Sequence, residues 1–295
     1  MFKNKEAGAL SMVEMKRRSN QCLYWLIFAF LSMVVVVCLL PPIWIFISSF
    51  KSLNELLQVP PTLLPKKWDI RKLWEVWNKL NFGRYYLNTL ILAMGSVVFS
   101  ITFNGMAGYV LSCLKPKGSG LILSAILWTM LLPNTLSLVP LYKNMIDFPI
   151  FGWNLTDTYW PMWLCSGAGA FTILLFKSFF DGISKSLVEA AKLDGCGNIR
   201  LFTSIILPLS KPVIAVNAIS TLNGVWGDFL LPYLIIQDPD KRTVMGRIYA
   251  LSKDINFTQD EHLMSLVFAI IPPIIMFCFF QKQIMYGVNL GGVKE

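Results

Sequence analysis

Residues 19–50 read SNQCLYWLIFAFLSMVVVVCLLPPIWIFISSF, a stretch of 32 positions without a charged side chain. Arg18 precedes the stretch and Lys51 follows it. A charge at the centre of a bilayer costs about 2.5–3.5 kcal/mol on insertion scales, so charges mark the ends of spanning segments. Because a spanning helix needs about 20 predominantly apolar residues, this stretch predicts a transmembrane helix.

Further apolar windows follow along the chain, at 85–114, 118–142, 158–176, 212–236 and 262–281. The window 212–236 contains Asp228, so it qualifies as a span only if this carboxylate lies near an interface or faces a polar cavity. The sequence therefore predicts an all-α fold, a polytopic membrane helix bundle with six transmembrane helices. Residues 19–295 are expected to form one transmembrane domain.

The composition agrees with a protein embedded in lipid. Of 295 residues, 55% are hydrophobic and 15% are charged, whereas an ordinary soluble domain carries about 25% charge. The net charge of +9 is spread over short loops, which favours anchoring to anionic lipid over nucleic-acid binding. The six cysteines include no CxxC pair and are interpreted as small hydrophobic residues, not as a disulfide or metal set.

The charge at the N-terminus predicts the orientation. Residues 1–18, the expected N-terminal tail, contain five basic side chains, and the excess of basic residues places this tail in the cytoplasm. Six spans then place the C-terminus in the cytoplasm as well. The segment between the windows 158–176 and 212–236 is cytoplasmic in this topology.

That cytoplasmic segment, 185–207, reads KSLVEAAKLDGCGNIRLFTSIIL. Good helix formers from Ser186 to Asp194 predict a helix, and Gly195 is expected to end it in a left-handed conformation. A second helical run is predicted over Ile199–Leu207. The result is a helix-turn-helix at the membrane surface. A plain amphipathic connector between two spans is the alternative that the physical pattern leaves open.

The spacing within this segment resembles the EAA loop of binding-protein-dependent ABC importer permeases. Glu189-Ala190-Ala191, Gly195 and Ile205-x-Leu207-Pro208 occupy the fixed positions of that loop. The resemblance implies two separate ATPase subunits, where ATP and Mg are bound, and a coupling loop, about 185–207, that docks on one of them. The residues to which it assigns this coupling are Glu189, Ala190, Ala191, Leu193, Asp194, Gly195, Ile199 and Phe202.

Other motifs are similar to those of MalG-like permeases of carbohydrate ABC importers. They are Asn88-Thr89-Leu90, Pro140-Leu141-Tyr142, Trp226-Gly227-Asp228-Phe229-Leu230 and the tail Gly287–Lys294. Gly227 stands where the family often has Asn, and the tail has Gly292 where Ala is common. The resemblance implies a bacterial cytoplasmic membrane protein that pairs with a companion permease in a heterodimer. It also implies a carbohydrate substrate and a solute-binding protein that meets the last external loop, 237–261.

Enzymatic chemistry has little support in the sequence. There is no GxxxxGK[ST] phosphate loop, so ATP hydrolysis is expected in another chain. His262 is the single histidine, and neither GxSxG nor HExxH occurs. The chain is therefore predicted to be a transport subunit without a cofactor or metal of its own.

Polar side chains within the spans are the candidates for a solute pathway, because intramembrane polar groups face protein or a water-filled cavity. Thr89, Asn104 and Thr172 belong to this wider set. Aromatic side chains near Asp228 suit stacking on sugars. The residues assigned to the candidate substrate pathway, only some of which are expected to contact solute, are Asn88, Asn134, Asn217, Thr221, Asn223, Trp226, Asp228 and Tyr233.

Three alternatives remain open at this point. An ABC importer permease for a non-sugar solute would share the coupling loop. A stand-alone secondary transporter would need buried ionisable residues for ion coupling, and Asp228 is the one acidic residue within or beside the window 212–236. A membrane scaffold without transport would not need the full spacing of the loop.

Overall fold

A computed structural model describes residues 18–149 and 151–291 of this chain. Helices make up nearly all of its regular structure, which confirms the prediction of an all-α polytopic fold. The predicted N-terminal tail, apart from Arg18, and residues 292–295 of the C-terminal motif lie outside the described residues.

The first half of the chain contains long membrane helices separated by short surface helices. Its α-helices are α1 (Arg18–Ser49), α2 (Leu53–Leu56), α3 (Arg71–Lys79), α4 (Phe82–Phe99), α5 (Gly105–Tyr109), α6 (Ser119–Thr129), α7 (Leu138–Ile146) and α8 (Trp160–Ser166). π-helical segments at Ser100–Asn104 and Val110–Leu114 continue α4 and α5, so that Phe82–Leu114 is one uninterrupted helix.

The second half contains the predicted coupling loop and two further membrane segments. Its α-helices are α9 (Ala170–Asp181), α10 (Lys185–Leu193), α11 (Asn198–Leu201), α12 (Leu207–Leu209), α13 (Lys211–Gly227), α14 (Leu230–Ile235), α15 (Val244–Leu251) and α16 (Gln259–Gly291). A π-helical segment at Phe202–Ile206 joins α11 to α12.

Within the described residues, three helices are long and apolar enough to cross a membrane, namely Gln21–Ser49, Phe82–Leu114 and Gln259–Gln281. Two bent pairs raise this number to five if each pair is one span: α8 with α9, bent by 42°, and the segment Asn198–Leu209 with α13, bent by 81°. The window 118–142 contains α6, which has only 11 residues. The sixth span therefore stays a prediction. The cytoplasmic location of the two termini also stays a prediction.

In the part of the chain that the structure describes, buried side chains form three clusters. The first joins α3, α4, α15 and α16 around Phe82, Trp226 and Phe268. The second surrounds Phe176 and Phe180 and includes the coupling loop. The third lies around Met162 and Ile235. The helix α1 packs on α16, but its apolar span window is not buried inside the chain, which leaves this surface for lipid or another subunit.

Candidate coupling loop and polar cleft

The coupling loop, 185–207, forms the predicted helix-turn-helix. The N–H of Cys196 donates to the carbonyl of Ala191, and the N–H of Gly195 donates to that of Lys192, both at 3.0 Å. This pair of hydrogen bonds is a Schellman motif, which requires a left-handed residue just after the helix. Gly195 supplies it with φ of +79°. The sequence-based prediction that Gly195 ends the helix is thus confirmed.

The loop presents apolar side chains outward at its turn. The side chains of Leu193 and Ile199 are 88% and 79% exposed, respectively. Other side chains of the same loop are buried. Glu189, Ala190 and Asp194 are also exposed. Because these side chains are exposed, they are available for contact with another protein.

The other face of the loop is attached to the bundle. Ala191 and Phe202, both predicted to contribute to coupling, are buried against Phe176 and Phe180 of α9 and do not lie on the exposed surface. The Phe202 ring lies 5.3 Å from that of Tyr109. Ala191 and Phe202 therefore connect the loop to the membrane helices.

A polar cleft of about 390 Å³ opens between the membrane helices. Backbone breaks lie at two of its walls: α8 and α9 are separated by residues 167–169, and α13 ends at Gly227, just before Asp228. Broken helices are tolerated at membrane depth where they are buried or line a cavity. The lining residues are Leu92, Ser100, Met162, Cys165, Ser166, Gly169, Thr172, Asn217, Ser220, Thr221, Gly224, Val225, Asp228, Leu231 and Pro232.

Asn104 holds the break between α8 and α9. Its Nδ2 donates to the carbonyl of Ser166 at 2.9 Å, and its Oδ1 accepts the N–H of Gly169 at 2.9 Å. The same Nδ2 lies 3.1 Å from the hydroxyl of Ser100, which also bonds to Asn217 of α13. One buried network thus joins three separate membrane segments at the cleft.

Asp228 lies where α13 gives way to α14. Its Oδ1 accepts the N–H of Leu230 at 3.1 Å, and the side chain contributes to the cleft wall. Among the described residues, no ion pair includes this carboxylate. The window 212–236 qualifies as a span only if Asp228 lies near an interface or faces a polar cavity. Because Asp228 lines the polar cleft, this requirement is met.

Three of the predicted pathway residues, Asn217, Thr221 and Asp228, lie together on the cleft. Thr172, from the wider polar set, joins them. The sequence reasoning missed the serines of the lining, which are Ser100, Ser166 and Ser220. A serine carries little signal on its own in an apolar window, because its hydroxyl often bonds to the backbone of its own helix.

Four of the other five predicted pathway residues lie elsewhere. Trp226 is buried, and its Nε1 donates to the carbonyl of Ala269 at 2.9 Å. Asn223 is exposed, and its side chain makes no hydrogen bond with described residues. Asn88 donates to the carbonyls of Asp240 and Arg242. Tyr233 packs on Tyr249 outside the cleft. The side chain of Asn134 is outside the described part of the chain.

The connection 237–261 is fastened to the start of α4. The N–H of Val244 donates to the hydroxyl of Thr89 at 3.0 Å, and Arg84 pairs with Asp240 at 2.6 Å. Next to Tyr233, the Nζ of Lys253 lies 4.4 Å from the centre of the Tyr249 ring, and the interaction with Tyr249 raises the pKa of Lys253 above its ordinary value. This connection is therefore an ordered surface that contains its own helix, α15.

Comparison with known proteins finds a family match that includes the coupling loop and most of the cleft. The family model described as "Binding-protein-dependent transport system inner membrane component" matches residues 106–286. The diacetylchitobiose uptake system permease protein NgcG of Streptomyces coelicolor is 30% identical over 87% of this chain and 84% of its own length. The arabinooligosaccharides transport system permease protein AraQ of Bacillus subtilis is 29% identical over 90% of this chain and 94% of its own length.

A solved structure has the same fold. It belongs to a bacterial ABC transporter involved in the import of the acidic polysaccharide alginate. One of its chains superposes with a TM-score of 0.76 at 25% identity, covering 90% of this chain and 98% of that one. The coupling loop and most of the cleft residues lie within the part of the chain matched by the family model.

Proposed function

Because this chain belongs to the family of inner membrane components of binding-protein-dependent transport systems, we propose that it is a permease subunit of a bacterial importer for a sugar or oligosaccharide. The observation that carries this proposal is the placement of the cleft and the coupling loop at opposite ends of α9. Gly169, just before the helix, lines the cleft, and Phe176 and Phe180 pack against the loop. A transport subunit driven from outside the membrane needs such a connection.

The chemistry of the cleft suits a sugar. Hydroxyl, amide and carboxylate groups lie beside apolar side chains such as Leu92 and Met162, which offers hydrogen bonds to sugar hydroxyls and contact for the ring faces. The relatives support a saccharide, and their names include oligosaccharides as well as an acidic polysaccharide. A volume of about 390 Å³ suits a solute of a few rings at most.

The pathway requires partners. The cleft is open on this chain, and the apolar surface of α1 is not covered by its own fold, so we expect a companion permease to supply a further wall. The exposed Leu193 and Ile199 suit a hydrophobic recess on an ATPase subunit, with Glu189 available for a basic group. The connection 237–261 is the proposed contact for a solute-binding protein.

In the proposed mechanism, the ATPase subunits bind ATP with Mg and close together, which displaces the docked coupling loop. Because Ala191 and Phe202 are buried against α9, the displacement carries that helix with it. The other end of α9 meets the break at Gly169, which lines the cleft. A rigid element between two sites with two discrete arrangements is the physical requirement for such coupling.

The test uses the importer purified with its partners from the native membrane. A co-purifying ATPase and a second permease are expected; recovery of this chain alone would favour a stand-alone transporter. In the complex, Gly195→Asp is expected to lower solute-stimulated ATP hydrolysis and uptake by about tenfold. A left-handed conformation costs a residue with a Cβ about 1–2 kcal/mol, which disfavours the turn.

Gly197→Asp is the matched control for this variant. Gly197 lies two residues away in the same loop with φ of −67°, and nothing lies within 4 Å of a Cβ at either glycine. The control adds the same charge, and aspartate is favourable at a helix N-cap such as this position. Coupling is therefore expected to persist in Gly197→Asp. Equal activity of the two variants would contradict the role assigned to the turn.

A further inference from the structure

The polar cleft has an asymmetric charge. Asp228 is the acidic side chain among its described lining residues, and no lysine, arginine or histidine lines it there. The remaining polar side chains are five hydroxyls, one amide and one thiol. A solute in this cleft therefore meets a negative charge without a compensating positive one from this chain.

The carboxylate of Asp228 has capacity for a ligand. The N–H of Leu230 donates one hydrogen bond to it, at 3.1 Å, whereas a carboxylate offers about four acceptor positions. Ionisable groups at membrane depth are rare and mark solute pathways by default. Thr221 and Asn217 stand on the same wall of α13, so a sugar that reaches Asp228 also meets neutral hydrogen-bonding groups.

The chemistry of the solute follows from this arrangement. Sugar hydroxyls donate hydrogen bonds, and a carboxylate is a stronger acceptor than a neutral group. A uronic acid would bring a second carboxylate into the same space, and like charges in a partly desolvated site repel strongly. Rejection of the wrong partner by an unpaired charge is a common basis of specificity.

We propose that Asp228 makes this cleft selective for uncharged sugars over sugars that carry a carboxylate. The proposal rests on the proposed function and adds to it the charge class of the solute and the residue that sets it. Asp228 acts as an acceptor for hydroxyl groups of the accepted sugar and as the repelling group for uronic acids.

The experiment measures direct binding to the complete importer in lipid nanodiscs, without the binding protein, whose own selectivity would otherwise filter the solutes. Matched pairs of probes share a framework and differ in charge: cellobiose with cellobiouronate, galactobiose with digalacturonate, and mannobiose with dimannuronate. Calorimetry at pH 7 gives the affinity ratio within each pair. In the wild type we expect the neutral member to bind about tenfold more tightly or better in at least one pair.

Asp228→Asn removes the charge and keeps an oxygen for the Leu230 N–H. It is expected to bring the ratio close to one, mainly by tighter binding of the uronate, whereas Asp228→Glu is expected to keep the ratio. Asp69→Asn is the matched control, since the Oδ1 of this exposed aspartate also accepts an N–H two residues on, that of Arg71 at 3.0 Å. Asp69 does not line the cleft, so the affinity ratio measured for Asp69→Asn is expected to equal that of the wild type.

Several results would overturn the proposal. They are equal wild-type affinity for both members of each pair, an unchanged ratio in Asp228→Asn, and no binding of any probe. The wild-type ratio tests the proposal independently of how well a variant assembles. Failure of this chain to assemble with an ATPase would instead contradict the proposed function as an importer subunit. The assembly result and the affinity ratio therefore test the two proposals separately.

Discussion

At the scale of single residues, Asn104 shows why a membrane helix can be interrupted at the cleft. The break between α8 and α9 leaves backbone groups without helical partners, and a membrane provides no water to replace them. The side-chain amide of Asn104 satisfies one such group on each side, the carbonyl of Ser166 and the N–H of Gly169. It is itself fully buried. An amide is well suited here because it donates and accepts at once.

Asn104→Ala is expected to destabilise the folded protein by about 1–3 kcal/mol, because both backbone groups lose a buried partner. Thermal unfolding in detergent measures the effect. Asn223→Ala is the control, since that exposed asparagine makes no side-chain hydrogen bond with described residues. A melting temperature of Asn104→Ala equal to that of Asn223→Ala would contradict the role assigned to Asn104.

The sequence predicted part of this site and could not predict the rest. Asp228 and Asn217 stand out because strongly polar side chains are rare in apolar windows. Trp226 and Asn88 share that signal, yet they hold the fold together through the carbonyls of Ala269 and Asp240. A polar side chain within a span needs a hydrogen-bond partner. Whether that partner is the protein or a solute depends on how segments distant in sequence pack together.

At the scale of elements, α5 and α9 approach each other closely where Gly108 meets Phe176. A Cβ on Gly108 would lie 2.8 Å from the Cβ of Phe176 and 2.9 Å from the backbone nitrogen of Lys177. Such contacts are shorter than van der Waals distance, and backbone atoms cannot move aside as a flexible side chain does. Small residues at helix interfaces permit this approach in membrane bundles.

Gly108→Ala is therefore expected to push α5 from α9 and to cost about 1–3 kcal/mol of stability. Gly120→Ala in α6 is the matched control, because nothing lies within 4 Å of a Cβ at that position. Alanine there is expected to be neutral or slightly stabilising, since glycine is the weaker helix former. Comparison of the two melting temperatures checks this, and an unaffected Gly108→Ala protein would count against the close packing.

Charge-free windows predicted the positions of the membrane helices well but not their interruptions. The helix Phe82–Leu114 and α16 lie where the windows 85–114 and 262–281 placed them. The bend of 81° between Leu209 and Lys211 and the shortness of α6 were not predicted. The positions of charges along the sequence indicate which segments can be buried in lipid. A bend depends on which side chains hydrogen-bond to the backbone groups that lose their helical partners. Those side chains belong to segments distant in sequence, so a single window does not predict the bend.

At the scale of the whole molecule, α9 connects the two features on which the proposed function depends. Its N-terminal end lies at the cleft, where Thr172 contributes to the wall, and its C-terminal half enters the second buried cluster with the coupling loop. The helix α13 links the same two features in the opposite chain direction, with Val213 in that cluster and Thr221 at the cleft. In the mechanism proposed above, movement of the loop is therefore expected to reach the cleft through two helices that share one cluster.

This connection predicts that a small defect at the coupling loop reduces transport more than an equal defect elsewhere. Phe176→Leu removes part of a fully buried ring that packs against the loop. The stimulation of ATP hydrolysis by solute-loaded binding protein is expected to fall by about two- to thirtyfold, since mutations between coupled sites alter the coupling energy by about 0.5–2 kcal/mol. The ratio of stimulated to basal hydrolysis, measured on the assembled importer, gives the result.

Phe82→Leu is the matched control for this defect, because Phe82 is also a fully buried phenylalanine but belongs to the first cluster, away from the coupling loop. Both variants are expected to lose similar thermal stability, since each replaces a buried aromatic ring by a smaller side chain. Only Phe176→Leu is expected to lose stimulation. An equal loss in both variants would mean that ATPase coupling depends on the overall stability of the bundle and not on the path through α9.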